Sequence, residues 1–438
     1  MTVELATAGE PIAVPQGSRN GRLALKTKKR TLSRRAVMWL GQTCNLRCYF
    51  CYFLNRITNV QHPEHEFMTF EKAKEICKTL RQFYGCTSID IQGGEPTIFP
   101  EILDLIAYCR EIGLYPTLIT NGLHLAQPGV LEQFRDAGIR DFLVSFHGIG
   151  AIHDQVVGRT GAYQKIETAV GRMRDLGIPF RFNCTMSKPV APILPDIARK
   201  AIEYGAAAVN YIAFNPFEDQ EAGIRTHDNV PRYSDIKPKL TEAMDLLEEA
   251  GIEVNVRYLP LCMAEERHRK NFYNFQQLSY DHHEWDYQSW LWTGLQPQRM
   301  RGGTTSPVYR LGTHARQISW IQPKVLFERL EKRPIKTRLF FAYQRIRARF
   351  EQMLRGRNVL YRNEAMERAD LDLHYEYHAA CESCAMRRIC DGFHGDYAQL
   401  FGTAEAAPIT NVPLTNDPLF YIRHQEKVVE EEDKAWAL

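Results

Sequence analysis

"CNLRCYFCY", residues 44–52, sets cysteines at Cys44, Cys48 and Cys51, with the aromatic Phe50 directly before the last. It follows "AVMWL" (36–40), a short apolar run that reads as a buried strand. Three thiolates on one loop after a strand make a three-point holder. A cubane of four irons normally takes four thiolates. Three would leave one iron open to a further ligand, as a catalytic zinc keeps an open position. The competing reading of the spacing is a structural zinc completed by His62 or His65 just downstream.

Outward from this loop the chain alternates. Strands are expected at 88–92, 115–120, 141–148, 179–186, 207–215 and 252–259. Helical patterns fall at 69–83, 100–113, 128–138, 163–177, 194–205 and 239–251. Thr69 is placed as an N-cap, and Pro100 and Gly113 bracket the second helix. Six or seven strand–helix units with short connections imply a parallel sheet with helical crossovers. Curled into a barrel, such a sheet gathers chemistry at the C-terminal ends of its strands. The cysteine loop follows the first strand and "GGEP" (93–96) follows the second, so both belong to one rim. Gly93 and Gly94 let backbone approach a ligand closely. Glu95 offers a carboxylate to an ammonium group.

Composition narrows the class. The chain has 438 residues, 44% of them hydrophobic, enough for a large domain with additions. A net charge of +3 does not by itself call for a nucleic-acid partner, and none is expected. The N-terminus lacks the apolar stretch of a signal peptide. Eleven cysteines without a disulfide-framework spacing fit a reducing, cytoplasmic compartment and metal ligation.

The Cys-x3-Cys-x-aromatic-Cys motif together with Gly93-Gly94-Glu95-Pro96 resembles the radical SAM superfamily over about residues 36–260. The resemblance implies a partial (β/α)6 TIM-like barrel. It also implies a [4Fe–4S] cluster on Cys44, Cys48 and Cys51 whose open iron chelates S-adenosylmethionine. Reductive cleavage would then give a 5′-deoxyadenosyl radical that abstracts hydrogen from substrate. By matching position, Phe50 resembles the residue packed near adenine. Gly93, Gly94 and Glu95, with Pro96 closing the motif, resemble those at the methionine amine, and Ser145 resembles a ribose contact. Asn183 and the stretch near Phe214 would border the cofactor. Ser145 and Asn183 read equally well as ordinary polar residues at strand ends.

A second cluster, "CESCAMRRIC", holds Cys381, Cys384 and Cys390 and resembles the SPASM and twitch auxiliary domains of that superfamily. Where the full SPASM pattern has a further cysteine stands His394, so one auxiliary [4Fe–4S] cluster is expected rather than two. Cys262, just past the barrel, is the expected fourth ligand, with His394 or substrate as alternatives. A buried free thiol at Cys262 and a structural zinc are the bland readings. Cys77, Cys86, Cys109 and Cys184 read as core.

The rest is less specific. The aromatic-rich segment around "YDHHEWDYQSWLW" (280–292) reads as an insertion over the barrel mouth. A metal site at His282, His283 and Glu284 is the weaker alternative there. Residues 324–357 carry 11 Lys and Arg against three Glu. They read as a solvated face over a core stripe, or as a basic amphipathic helix in peripheral contact with a membrane, a reading the basic leader supports. The domains expected are a basic leader at 1–33, the core at 34–260, an insertion and linker at 261–370, and a Cys-rich auxiliary domain with tail at 371–438. The function expected is hydrogen abstraction from a small polar substrate of sugar or amino-sugar type, with oxidation or epimerisation aided by the second cluster. A flavodoxin or ferredoxin would supply electrons. The alternatives are a peptide maturase and a non-catalytic iron–sulfur carrier or regulator.

Overall fold

Phe180–Met186 alternates buried and half-buried residues along its length. That is the period-two signature of a strand with one face on a helical layer and the other on a partly open interior. The computed structural model describes residues 30–32, 35–41, 43–51, 67–82, 86–214, 225–273, 375–417, 420–421 and 427–429, with scattered positions between 333 and 354. His62, His65, His282, His283 and Glu284 lie outside these residues.

The strands in chain order are β1 (Arg30–Leu32), β2 (Arg35–Trp39), β3 (Ser88–Gln92), β4 (Tyr115–Thr120), β5 (Asp141–Ser145), β6 (Phe180–Met186), β7 (Ala208–Ala213), β8 (Glu253–Arg257), β9 (Phe272–Tyr273) and β10 (Lys427–Val429). The helices are α1 (Phe70–Gln82), α2 (Ile102–Glu111), α3 (Val130–Ala137), α4 (Ala151–Val157), α5 (Ala162–Asp175), α6 (Leu194–Tyr204), α7 (Tyr233–Glu249) and α8 (Gly395–Phe401). β2 to β9 form one eight-stranded sheet in sequential order, and every pairing in it is parallel. The expected curled α/β half-barrel is therefore present, with β9 added to the seven strands read from the sequence and two strands more than the (β/α)6 barrel implied by the resemblance.

The outward faces of the strands meet the helices. Phe182, Cys184 and Met186 are fully buried, and Tyr211 of β7 donates its hydroxyl to the Leu194 carbonyl at the start of α6, 3.2 Å away. The alternate residues, among them Arg181, Asn183 and Thr185, face the concave interior and are half-buried. Cys77, Cys86, Cys109 and Cys184 are core, as expected. Thr69 caps α1, accepting the Lys72 N–H at 3.3 Å.

Three departures have physical causes. Helix α7 begins at Tyr233, six residues before the apolar pattern starts at 239, and runs through Pro238. A proline there forfeits one helical hydrogen bond, and on sequence it reads as a start rather than an interior position. Helix α4 is only seven residues long and follows a glycine pair, too short for periodicity to reveal. Arg30–Leu32, within the expected leader, pairs in parallel with Lys427–Val429, a partner nearly 400 residues away that no local pattern predicts.

The C-terminal segment docks on α7. The Tyr233 and Tyr397 rings stack with centroids 3.6 Å apart, and the Tyr233 N–H donates to the Tyr397 hydroxyl at 3.0 Å. Glu405 accepts hydrogen bonds from both Ser234 and Tyr397. Farther along α7, the Asp245 carboxylate accepts a hydrogen bond from His268 Nε2 at 2.7 Å. Glu248 accepts from Asn271 at 2.6 Å. These contacts fasten the turn that leads into β9.

Candidate active site and a four-cysteine pocket

The cysteine loop is held by its neighbours on every side. The Leu40 N–H donates to the Gln92 carbonyl at 2.8 Å, and the Glu95 N–H to the Thr43 carbonyl at 2.9 Å. Helix α4 supplies the opposite wall. Its Val156 and Val157 carbonyls accept the Tyr49 and Arg47 amides at 3.4 and 3.1 Å. A Cβ on Gly158 would fall 2.8 Å from the Arg47 carbonyl oxygen, so that approach requires glycine. Arg159 donates to the Asn45 carbonyl at 3.0 Å. Asn121, past β4, donates to Asn45 Oδ1 at 2.7 Å and lies 3.9 Å from Cys44 Sγ. The Leu46 N–H points at Cys44 Sγ at 3.4 Å.

Cys44, Cys48 and Cys51 are half-buried and form no disulfide. Burial pushes the Cys44 thiol up to about 11, and the neighbouring Glu95 and Cys51 add to the rise. Burial, then Cys51 and Cys44, push Cys48 well above its usual value. Three sulfurs that disfavour one another's thiolate form, one with an N–H donor on it, make a donor set that fits a positively charged metal group. Among the described residues, no three His, Cys, Asp or Glu side chains converge as they would on a single ion. An iron–sulfur cluster takes each thiolate on a different iron.

Glu95 is buried and turned inward. Its Oε1 accepts the Thr97 N–H at 3.1 Å and the Thr97 and Thr120 hydroxyls at 2.6 Å each. Its Oε2 accepts the Asn121 N–H at 2.7 Å, so Oε2 is the oxygen with acceptor capacity to spare. Burial raises the carboxyl above its ordinary value, and these hydrogen bonds oppose the rise. Gly93 has φ +96°, and a Cβ there would meet the Gly41 carbonyl oxygen at 2.6 Å. Gly94 also has a positive φ, +53°, and Pro96 opens the short 3-10 turn that Glu95 caps.

Phe50 packs edge-on to the His147 ring, centroids 4.7 Å apart, and Phe214 closes the same aromatic corner at 6.1 Å. His147 was not singled out on sequence. Its Nδ1 accepts the Thr185 N–H at 3.1 Å, which places the proton of the neutral ring on Nε2. Burial, with His153 beside it, lowers His147 to about 3, so the imidazole is neutral at pH 7.

Ser145 and Asn183 are register partners on the concave face. The row continues through Asn210 to Asn255, and Asn255 Nδ2 donates to Asn210 Oδ1 at 3.0 Å. One step nearer the rim on the same face of β8 stands Arg257. The alternation of β7 and β8 was visible in the sequence. The alignment of one hydroxyl and three carboxamides needed the register.

A second centre lies past β8. Cys262 joins Cys381, Cys384 and Cys390 around one pocket, closed by Pro260, Met386, Phe393 and Ile409. Backbone donors already aim at the sulfurs. The Leu261 N–H lies 3.4 Å from Cys390 Sγ, and the Ile409 N–H lies 3.4 Å from Cys384 Sγ. Burial raises Cys262 and Cys390, and each is next to other thiols of the set. His394 does not line this pocket. It caps α8, its Nδ1 accepting the Asp396 N–H at 3.3 Å. Four thiols with N–H donors in an apolar cavity fit a fully ligated cluster.

Comparison with known proteins agrees with the core. Residues 40–188 match the family model of the radical SAM superfamily, whose cofactors are a [4Fe–4S] cluster and S-adenosylmethionine. An AdoMet-dependent heme synthase of Methanosarcina barkeri is 29% identical over 188 residues, 42% of this chain and 52% of that protein. A PqqA peptide cyclase of Rhodopseudomonas palustris is 29% identical over 171 residues, 39% of this chain and 44% of the relative. The chain thus spans about half the length of the curated relatives it matches. The crystal structure of Streptococcus suis SuiB bound to S-adenosylmethionine aligns with TM-score 0.42 at 18% identity, covering 56% of this chain and 50% of that one. The chain carries a radical SAM domain at residues 40–188.

Proposed function

We propose that this protein is a radical SAM enzyme that oxidises or cross-links a peptide. In this reading Cys44, Cys48 and Cys51 hold the cluster at which S-adenosylmethionine binds. Cys262, Cys381, Cys384 and Cys390 hold a second, auxiliary [4Fe–4S] cluster. When bound, the first cluster and S-adenosylmethionine supply reductive cleavage of the sulfonium and hydrogen-atom abstraction. An auxiliary cluster adds a site that takes up or returns an electron. The chain's own residues do the rest. Glu95 Oε2, Gly93 and Gly94 receive the methionine amine. Phe50, with the neutral His147 at its edge, borders the adenine. Ser145 and Asn183 receive the ribose. Asn210, Asn255 and Arg257 orient the substrate in the barrel interior.

The observation that carries this reading is the four-cysteine pocket beyond β8. Four thiols on a four-iron cluster would leave no ligand position for substrate, which supports a redox role rather than substrate binding. Peptide as substrate class is supported by the Asn210 and Asn255 carboxamides on the concave face, groups of the kind that pair with a peptide backbone, and by the PqqA peptide cyclase relative. The expected sugar substrate finds no support among the relatives. A carboxylate-bearing small molecule is the second reading, favoured by Arg257 on the concave face and by the heme synthase relative.

Anaerobic reconstitution followed by iron and sulfide counting tests the reading. About eight irons per chain are expected. About four should survive in the Cys44/Cys48/Cys51→Ala variant and about four in the Cys381/Cys384/Cys390→Ala variant. 5′-Deoxyadenosine should form with dithionite in the second variant and not in the first. A wild type that never exceeds four irons would remove the auxiliary cluster from the reading.

A further inference from the structure

Six large apolar side chains stand in solvent along one helical stripe. Ile335, Leu339, Tyr343, Ile346, Phe350 and Met353 are 57–75% exposed, and each occupies a helical position. Their spacing of four, four, three, four and three residues puts them within about 80° of arc at the helical period. Among the described residues, then, the stripe is exposed and faces no core, against the core-stripe reading of this segment. Monomeric proteins seldom leave so many large apolar groups together in water without a use for them.

The charge says what kind of surface would cover the stripe. Residues 335–357 carry seven lysines and arginines against the single Glu351. A second copy of the segment would bring like charges together. A nucleic acid would use the cations but has no use for the apolar stripe. A bilayer with anionic headgroups uses both, taking apolar side chains at the acyl boundary and cations at the phosphates. No helix among the described residues is long and apolar enough to cross a membrane, so such contact would lie on the surface. We propose that the exposed apolar stripe of Ile335, Leu339, Tyr343, Ile346, Phe350 and Met353 docks this protein on an anionic phospholipid surface. The inference does not depend on the chemistry proposed for the barrel.

The test is co-sedimentation of the full reconstituted chain with vesicles of phosphatidylcholine alone and of phosphatidylcholine with phosphatidylglycerol. Binding is expected to the second kind only, weakening as salt is raised. It should fall about tenfold or more in the Leu339→Glu/Ile346→Glu/Phe350→Glu variant, whose sites are solvent-facing. That variant should keep the wild-type iron content and circular dichroism. An Arg345→Gln/Arg347→Gln/Arg349→Gln variant should lose the preference for anionic vesicles. Three results would overturn the proposal. One is no sedimentation with either vesicle. Another is equal binding to both. The third is a triple-Glu variant that binds like wild type. Light scattering that shows a dimer lost in the triple-Glu variant would assign the stripe to a second copy instead. Retention of duplex DNA by that variant, lost in the Arg variant, would assign the cations to nucleic acid.

Discussion

The Glu95 carboxylate accepts the Asn121 backbone N–H at 2.7 Å, tying the loop after β3 to the loop after β4. Together with the bonds from Thr97 and Thr120, this makes Glu95 an organiser of the rim as well as a candidate ligand for the methionine amine. Glu95→Gln turns one acceptor into a donor that faces donors. A buried N–H left unsatisfied costs about 1–3 kcal/mol. The melting temperature of the cofactor-free variant should therefore drop, and S-adenosylmethionine binding should weaken in equilibrium dialysis. A variant that melts with the wild type but binds poorly would confine Glu95 to the ligand role.

The core was legible because its signals are local. Cys44, Cys48 and Cys51 fall within eight residues, and β3 to β7 each follow an apolar run between turn residues. What could not be read depends on long-range pairing. Asn210 and Asn255 meet only through register. His147 gains its neutral state from burial beside His153 and Thr185. Cys262 is the expected fourth ligand by resemblance alone, and only folding puts it at the pocket formed with Cys381, Cys384 and Cys390 some 120 residues later. The stripe from Ile335 to Met353 has the same spacing whether it faces a core or water, and only its exposure separates the two.

Gly93→Ala should be costly for a reason that periodicity does not reveal. The left-handed φ of +96° disfavours any side chain, and the nearest atoms to a new Cβ are backbone atoms of Gly41, Leu40 and Trp39. Backbone strain of this kind costs on the order of 1–3 kcal/mol before any clash is counted. Because Gly41 begins the cysteine loop, the strand exit would be displaced. Lower soluble yield and reduced iron uptake at the first site are expected, measured against Gly129→Ala, where nothing lies within 4 Å of a new Cβ.

Acid should loosen the clasp on β9. Burial alone would raise Glu248, but hydrogen bonds from His268 and Asn271 and the charge of Lys270 outweigh it and hold the carboxyl down at about 2. A carboxylate depressed in the folded state stabilises above its unfolded pKa and loses that contribution as pH falls through the folded value. Its share of stability should thus be complete above about pH 4.5 and vanish toward about pH 2. Urea midpoints across this window should fall less steeply in Glu248→Gln than in wild type. Parallel pH curves for the two proteins would mean that other carboxylates govern the acid transition.

The carboxamide row separates two kinds of site residue. Ser145 and Asn183 lie on the strands nearer the cysteine loop, whereas Asn210 and Asn255 lie on β7 and β8 and bond to each other at 3.0 Å. If the first pair serves the ribose and the second the substrate, their variants should fail differently. Ser145→Ala should raise the S-adenosylmethionine concentration needed for half-maximal 5′-deoxyadenosine release. Asn210→Ala/Asn255→Ala should raise KM for substrate and the ratio of 5′-deoxyadenosine to product, because a misplaced substrate leaves cleavage unproductive. Half-buried rather than core, these two asparagines should cost about 1–2 kcal/mol of stability when removed. A double variant with wild-type KM and coupling ratio would move the substrate to another part of the rim, with Arg257 the next residue to change.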